Sequence, residues 1–155
     1  MQAAETECVF DTNTYQFTTR ALRKPNPDQP FTWDGEQQQA VAPLANGDTL
    51  MLHIGGCTHF SYLASYRTDS AKFHQEAYLF DKAKWLAETY FDNGFNEAYP
   101  RFIANKQYQL EESAPGFRLY TIADPDTSVT NRIFEGFYFK KEGTRTEIRI
   151  HGYVN

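Results

Sequence analysis

The sequence predicts an α+β fold in one domain covering residues 1–155, a mostly antiparallel sheet built from hairpins with a central helical segment packed on one face. Apolar and polar residues alternate with a period of two along Asn46–Arg67 and again near the end of the chain, as strands with one buried face require. Around Phe73–Tyr90 the apolar period changes to about 3.6, which is typical of a helix. The 13 Phe and 10 Tyr residues also favour a sheet-rich protein.

The central hairpin has the clearest alternation. Its strands are joined at Gly55-Gly56, and Asn46-Gly47 precedes the first strand; both pairs accept the positive φ values of tight turns. The side chains predicted to face the core are Leu50, Leu52, Ile54, Phe60, Tyr62, Ala64 and Tyr66.

The region before the hairpin is less regular. Alternation over Val9–Leu22 predicts a strand. Three prolines within Lys24–Gly35 predict an irregular connection, because proline has no N–H to donate to a ladder. The following residues, Glu36–Val41, fit either a short helix or a strand, which Pro43 would end.

The helical segment follows the hairpin. Thr68, Asp69 or Ser70 can cap its start, and Gly94 marks its end; because Asp81 could cap a second start, one long helix and two short ones both fit. The side chains expected to be buried are Phe73, Ala77, Phe80, Leu86 and Tyr90. Those expected to be exposed are Lys72, Lys82 and Glu88. A further short helix is predicted over residues 96–104, interrupted by Pro100.

The sheet pattern returns in the last third of the chain. Short strands are predicted around Tyr108–Leu110 and over Phe117–Ile122, with a turn at Pro115-Gly116. Ile133–Phe139 and Thr144–Tyr153 form a closing hairpin. Within it, Phe137 and Phe139 are expected to meet Ile148 and Ile150 on the buried face. No internal repeat is visible in the sequence.

Charge and hydropathy limit the classes of partner. The formal net charge of −5 argues against nucleic acid, because its binding depends on Lys and Arg neutralising phosphates. It favours a basic partner over an acidic one. No apolar run reaches the roughly 18 residues of a membrane helix, so no membrane span is expected.

The start of the chain and its two cysteines favour export. Residues 1–7 are small and polar, as expected of a flexible start after a removed leader, and this predicts a periplasmic or secreted protein. In that compartment Cys8 and Cys57 would form a disulfide. Closing so long a loop would stabilise the fold by about 4 kcal/mol in the chain-entropy model.

Two chemical sites are possible around the hairpin turn, and both patterns are weak. His53, Cys57 and His59 are metal-ligand types, but their spacing matches no known zinc pattern and a disulfide would remove the cysteine. Cys57 with His53 or His59 also resembles the components of an acyl-transfer site, with Gly55-Gly56 as backbone donors. The sequence therefore predicts no metal and no cofactor, and keeps a small hydrolase as the alternative function.

A polar sheet surface is the third candidate. If the central and closing hairpins share one sheet, the face turned away from the helix carries polar and aromatic side chains from both. The residues predicted to bind a partner there are His53, His59, Tyr138, Arg149, His151 and Tyr153, with Ser61 and Arg145 beside them. Tyr and Arg are frequent anchors of protein interfaces.

The sequence thus predicts a small exported binding protein, of the inhibitor or immunity type, that acts on another protein through this surface. It is expected to use the sheet face and not a deep cleft. Because these side chains lie opposite the core set, truncating Arg149 or Tyr153 is expected to leave stability nearly unchanged.

Overall fold

The protein is described by a computed structural model that covers residues 10–56, 60–90, 99–122 and 133–154. These residues contain one antiparallel sheet of eight strands, as the predicted α+β class requires. The strands are β1 (Thr32–Asp34), β2 (Gln39–Pro43), β3 (Thr49–Gly56), β4 (Phe60–Asp69), β5 (Tyr108–Ala114), β6 (Phe117–Ile122), β7 (Ile133–Glu142) and β8 (Arg145–Val154). The helices are α1 (Phe10–Arg23), α2 (Glu76–Tyr90) and α3 (Tyr99–Ala104), with a 3₁₀ turn at Ser70–His74.

The topology repeats once along the chain. Helix α1 precedes the meander β1–β4, and helices α2 and α3 precede the meander β5–β8. The order across the sheet is β1-β2-β3-β4-β8-β7-β6-β5, so the last strands of the two halves meet at the centre. Strands β4 and β8 pair along their full length, from Phe60 opposite Val154 to Asp69 opposite Arg145. The two halves therefore share a topology without a visible sequence repeat.

One face of the sheet, the inner face, carries the core. The predicted hairpin positions with described side chains are all buried, namely Leu50, Leu52, Ile54, Tyr62, Ala64 and Tyr66. In the closing hairpin Phe137 lies opposite Ile150. Phe139 lies opposite Ile148, so the predicted pairing is confirmed. This register places the aromatic rings of β7 directly under the helical layer.

The helical segment packs on that face. Asp69 caps the 3₁₀ turn, its Oδ1 accepting from the Ala71 amide at 2.8 Å, and α2 then runs as one helix from Glu76. Its buried side chains are Leu79, Ala83, Leu86, Ala87 and Tyr90. The buried face of α2 includes Leu79 and not Ala77. The expectation that Ala77 is buried is therefore wrong, because Ala77 is exposed. Gly94 lies outside the described residues.

Two lysines expected to be exposed, Lys72 and Lys82, are half-buried. The Lys82 ammonium lies 4.4 Å from the ring centroid of Tyr66 and 4.6 Å from that of Trp85. Lys72 lies 4.7 Å from the ring of Tyr78. The aromatic surface between α2 and β4 attracts both cations and covers their stems. Burial lowers the pKa of Lys82.

The prediction of a strand over Val9–Leu22 is wrong, because α1 occupies Phe10–Arg23. Its buried residues are Thr14, Thr18, Ala21 and Leu22, which have helical spacing. The alternation that predicted a strand involves Tyr15, which is exposed, and Phe17, which is half-buried. Threonines on the buried side hid the helical period.

Helix α1 packs against the end of β3. The Thr18 hydroxyl accepts from the Ile54 amide at 2.9 Å and donates to the Ile54 carbonyl at 3.1 Å, beyond the point where β2 pairs with β3. A Cβ at Gly55 would lie 2.2 Å from Thr14 Oγ1. Gly55 therefore permits close approach of the helix.

The remaining differences concern short or polar strands. The connection predicted as irregular over Lys24–Gly35 contains the three-residue strand β1. In Glu36–Val41, which fitted either a short helix or a strand, the structure has a turn followed by the start of β2, and Pro43 is the last residue of that strand. The first strand of the closing hairpin is longer than predicted, since it runs to Glu142 instead of Phe139, whereas the second begins at Arg145 instead of Thr144. Positive φ at Gly143 (61°) lets a two-residue turn join them.

Within the described residues no helix has the length and apolar character needed to cross a bilayer.

Candidate binding surface

The face opposite the core, the outer face, brings together polar residues from four adjacent strands. Strand register places the following described residues on it: Thr49, Met51, His53, Ser61, Leu63, Ser65, Arg67, Asp69, Gly136, Tyr138, Lys140, Glu142, Arg145, Glu147, Arg149 and His151. Of the six predicted binding residues, His53, Tyr138, Arg149 and His151 are therefore on this face. Tyr153 lies opposite Ser61 in the register, but its side chain is outside the described part, as is all of His59.

A buried carboxylate organises the centre of the outer face. The Glu147 side chain is 7% exposed, and its Oε2 accepts from Arg149 Nε at 2.9 Å and from Arg149 Nη2 at 2.8 Å. The buried Ser65 hydroxyl donates to the same oxygen. The Tyr138 hydroxyl donates to Oε1 at 3.4 Å. Four donors thus satisfy one carboxylate, as burial of a charge requires.

The same contacts hold Arg149 and Tyr138 in place. The Arg149 guanidinium lies 5.5 Å from the centroid of the Tyr138 ring. Burial, reinforced by the Glu147 charge, raises the pKa of Tyr138 to about 12, so the phenol is protonated at neutral pH. The Arg149 side chain remains 27% exposed. It is therefore both anchored within the sheet and accessible from outside.

Arg67 lies on β4 two residues after Ser65, and in the strand register it is flanked by Thr49 of β3 and Glu147 of β8. Its side chain is half-buried. Within the described ranges the Arg67 side chain makes no hydrogen bond and no ion pair. In this it differs from Arg149, whose charge is neutralised by Glu147.

An open cavity of about 380 Å³, called the outer cavity below, lies over β2, β3, β4 and β8. Its lining residues are Gln37, Gln39, Met51, His53, Leu63, Arg67 and Arg149. A smaller cavity of about 170 Å³ adjoins it and shares Arg67. Arg67 therefore faces both spaces.

A wider depression of about 600 Å³ lies along α1 and is lined by Gln16, Thr19, Arg20, Arg23 and Lys24. All of these residues come from one helix and the residue after it. Among the described residues no second element converges on this depression, so it is a weaker candidate site than the outer cavity.

His53 is engaged at both ring nitrogens. Its Nδ1 lies 2.6 Å from the Gln38 carbonyl oxygen, which can only accept, so Nδ1 carries a proton. Its Nε2 lies 3.1 Å from the Ser61 hydroxyl. With Nδ1 protonated, Nε2 has the lone pair and accepts from the Ser61 hydroxyl, so both ring nitrogens are engaged in hydrogen bonds.

His151 packs over Gly136 of the adjacent strand: a Cβ at that glycine would lie 3.4 Å from two of its ring atoms. Burial and then the nearby Arg149 charge lower the pKa of His151. The imidazole is therefore neutral at pH 7 and adds no charge to the surface.

The predicted disulfide and the predicted Cys57 chemistry fall on Cys8 and Cys57, which lie outside the described residues, as does His59. Among the residues that are described, no group of three His, Cys, Asp or Glu side chains is arranged to hold a metal ion.

Sequence reasoning found Tyr138, Arg149 and His151 but missed Glu147, Ser65 and Arg67. A signal for Glu147 was present, because it lies two residues before Arg149 and so on the same face of the strand. Ser65 and Arg67 lie two and four residues after Leu63 on β4, so alternation places all three on the same face of the strand. No family model, no curated protein and no solved structure matches this chain.

Proposed function

We propose that this chain is a small exported binding protein, of the inhibitor or immunity type, that acts on another protein through the outer face. The observation that carries the proposal is the fixed arrangement of Arg149, Tyr138 and Glu147 beside the outer cavity. Arg and Tyr in such settings are frequent interface anchors.

Fixed side chains favour binding because association costs conformational entropy. A free surface arginine loses rotamer freedom when a partner immobilises it, at about 0.5–1.5 kcal/mol per side chain. Arg149 has already lost much of that freedom through its two contacts with Glu147. The surface is therefore preorganised for recognition.

The shape of the outer cavity supports a protein partner. It is open and spreads over four strands, so a protruding loop could enter it while its flanks rest on the surrounding sheet. The half-buried Leu63 supplies apolar contact area, with a small contribution from Met51, which is 7% exposed; two glutamines and two arginines supply hydrogen-bond donors. This mixture resembles interfaces with an apolar centre and a polar rim.

Export, and a Cys8–Cys57 disulfide with it, belong to the same proposal. The described neighbours of the two cysteines support the pairing, because Thr14 near the start of α1 contacts Gly55 at the end of β3. That contact brings together the chain segments that lead to the cysteines. Counting thiols under denaturing, non-reducing conditions tests the pairing, and two free thiols would contradict it.

The same thiol count bears on the alternative, a small hydrolase that uses Cys57, His53 or His59. Two free thiols would make Cys57 available as a nucleophile, whereas none would leave only a histidine site. His53 Nε2 lies 3.1 Å from the Ser61 hydroxyl and its Nδ1 is held by the Gln38 carbonyl, an arrangement compatible with a histidine site.

A pull-down from an envelope extract tests the binding function. Three baits are compared: the parent, Gln37→Trp and Glu88→Trp. Gln37 is exposed and lines the outer cavity, so a tryptophan there would obstruct it; Glu88 is exposed on α2, on the other side of the sheet. Both variants should melt within a few degrees of the parent.

We expect the parent and Glu88→Trp to retain the same partner and Gln37→Trp to lose it. Equal recovery by Gln37→Trp and the parent would contradict the outer face as the binding surface. Absence of any specifically retained protein would contradict the binding function itself.

A further inference from the structure

Among the described residues, the lining of the outer cavity contains two arginines and no carboxylate, and Arg149 is paired with Glu147 beside the cavity. This is unexpected in a chain with a formal net charge of −5, which by itself favours a basic partner. The local charge at the cavity, and not the net charge, is what a docked group would meet, because exposed charges separated by more than about 8 Å are largely screened in physiological salt. Locally, Glu147 neutralises Arg149, and Arg67 contributes a positive charge.

The other cations of the outer face have acidic neighbours. Arg149 pairs with Glu147, and Lys140 lies 3.8 Å from Glu142. Arg145 lies opposite Glu142 in the β7–β8 register and donates to Thr49 at 3.4 Å. Arg67 lies opposite Glu147 in the β4–β8 register, but that carboxylate already accepts from Arg149, Ser65 and Tyr138. Among the described residues the half-buried Arg67 side chain therefore has no acceptor.

The half-buried Arg67 guanidinium has N–H groups that water can reach, so they are available to an acceptor from a partner. It presents five N–H donors in a planar fork that matches the two oxygens of a carboxylate. Arg149 uses Nε and Nη2 for Glu147, so the rest of its guanidinium can reach a second acceptor in the cavity. The neighbouring Gln37 and Gln39 add amide groups on the opposite wall.

We propose that the outer cavity receives an Asp or Glu side chain from a loop of the partner protein, and that Arg67 is the main residue that binds its carboxylate. Met51 and Leu63 contact the apolar atoms of the loop. This inference rests on the proposed binding function, since it names the group that the partner presents. Charge complementarity is its main support: Glu147 neutralises Arg149, so Arg67 is the unneutralised cation of the described lining, and a volume of about 380 Å³ fits one acidic side chain and its immediate neighbours.

A test with small peptides does not need the partner. The probe is the blocked tripeptide acetyl-Gly-Asp-Gly-amide, and the matched control is acetyl-Gly-Asn-Gly-amide. Titration into ¹⁵N-labelled protein follows the Nε–H signals of Arg67 and Arg149. We expect the Asp peptide to shift both signals saturably in the millimolar range and the Asn peptide to shift neither.

Two variants connect the effect to Arg67. Arg67→Met keeps the aliphatic stem and should weaken binding of the Asp peptide at least about tenfold, measured through the Arg149 signal. Arg67→Lys keeps the positive charge but lacks the planar guanidinium fork, so it should bind the Asp peptide more weakly than the parent. It also serves as the test variant if Arg67→Met does not fold.

Absence of a saturable shift with the Asp peptide would overturn the proposal, as would unchanged binding by both variants. Tighter binding of inorganic phosphate than of the peptide would assign the cavity to a phosphate ligand instead. Failure here leaves the Gln37→Trp pull-down unaffected: if that variant still loses the partner, the binding surface stands and only the acidic group is wrong.

Discussion

Replacing Arg149 by Met should destabilise the protein substantially, because Arg149 supplies the counter-charge of the buried Glu147 carboxylate. Removing one member of a buried ion pair typically costs about 3–5 kcal/mol. Ser65 and Tyr138 would still donate to Glu147, so we expect about 3 kcal/mol, the low end of that range. For a domain of this size the loss corresponds to a melting temperature lower by about 6–12 °C.

Urea unfolding followed by circular dichroism at pH 7 measures this cost. The matched control is Lys140→Met, which removes a cation whose contact with Glu142 is 3.8 Å long and whose side chain is 42% exposed. Exposed pairs contribute little, so the control should lose less than about 1 kcal/mol. A cycle with Glu147→Gln should give a coupling energy above about 1 kcal/mol.

A cost below about 1 kcal/mol for Arg149→Met, equal to that of the control, would refute the buried-pair reasoning. Alternation alone had predicted that Arg149→Ala would be nearly neutral. The structure contradicts that expectation, because Glu147 is enclosed and depends on the arginine. Arg149 is therefore unsuitable for separating binding from stability, which is why the binding tests use Gln37 and Arg67.

Three further changes probe other parts of the account. Leu86→Ala should cost about 2–5 kcal/mol in urea unfolding, because Leu86 is 0% exposed; a loss under about 1 kcal/mol would contradict its place in the core. Gly152→Ala should lower the free energy of unfolding by about 1–3 kcal/mol, since its Cβ would lie 2.1 Å from the Tyr62 ring. The control Gly35→Ala, whose Cβ would meet nothing within 4 Å, should be nearly neutral. Equal losses for the two variants would contradict this packing. The folded-state pKa of His151 is lowered by burial and by the adjacent guanidinium, so the unfolded chain binds the proton more readily and stability should fall as the pH drops below about 6.5. His151→Gln should reduce this loss between pH 7 and pH 5, and an unchanged pH dependence would contradict it.

The sheet could be predicted where one face is strongly apolar. In the central and closing hairpins the apolar residues alternate without interruption, so a register shift by one residue would expose the whole core set. That constraint placed Phe137 opposite Ile150 correctly. Alternation also placed Tyr138 and Arg149 on the outer face.

Other elements could not be predicted because their signals are not local. Helix α1 buries Thr14 and Thr18, whose hydroxyls hide an apolar period; the role of Thr18 depends on Ile54, 36 residues away. Strand β1 has three residues and is defined by its pairing with β2. The burial of Glu147 depends on Ser65, 82 residues away in the chain. Polar groups that are satisfied over such separations look like ordinary surface residues in the sequence.

The most direct test of the proposed binding surface follows methyl signals as the partner, eluted from the parent bait, is added to protein labelled with ¹³C in its Met and Leu methyl groups. Met51 and Leu63 line the outer cavity, whereas Leu110 is 50% exposed on the edge strand β5. We expect the Met51 and Leu63 methyl signals to shift or broaden on binding while the Leu110 signals do not change. Shifts of Leu110 with unchanged Met51 and Leu63 signals would contradict the proposal that the protein binds its partner through the outer face.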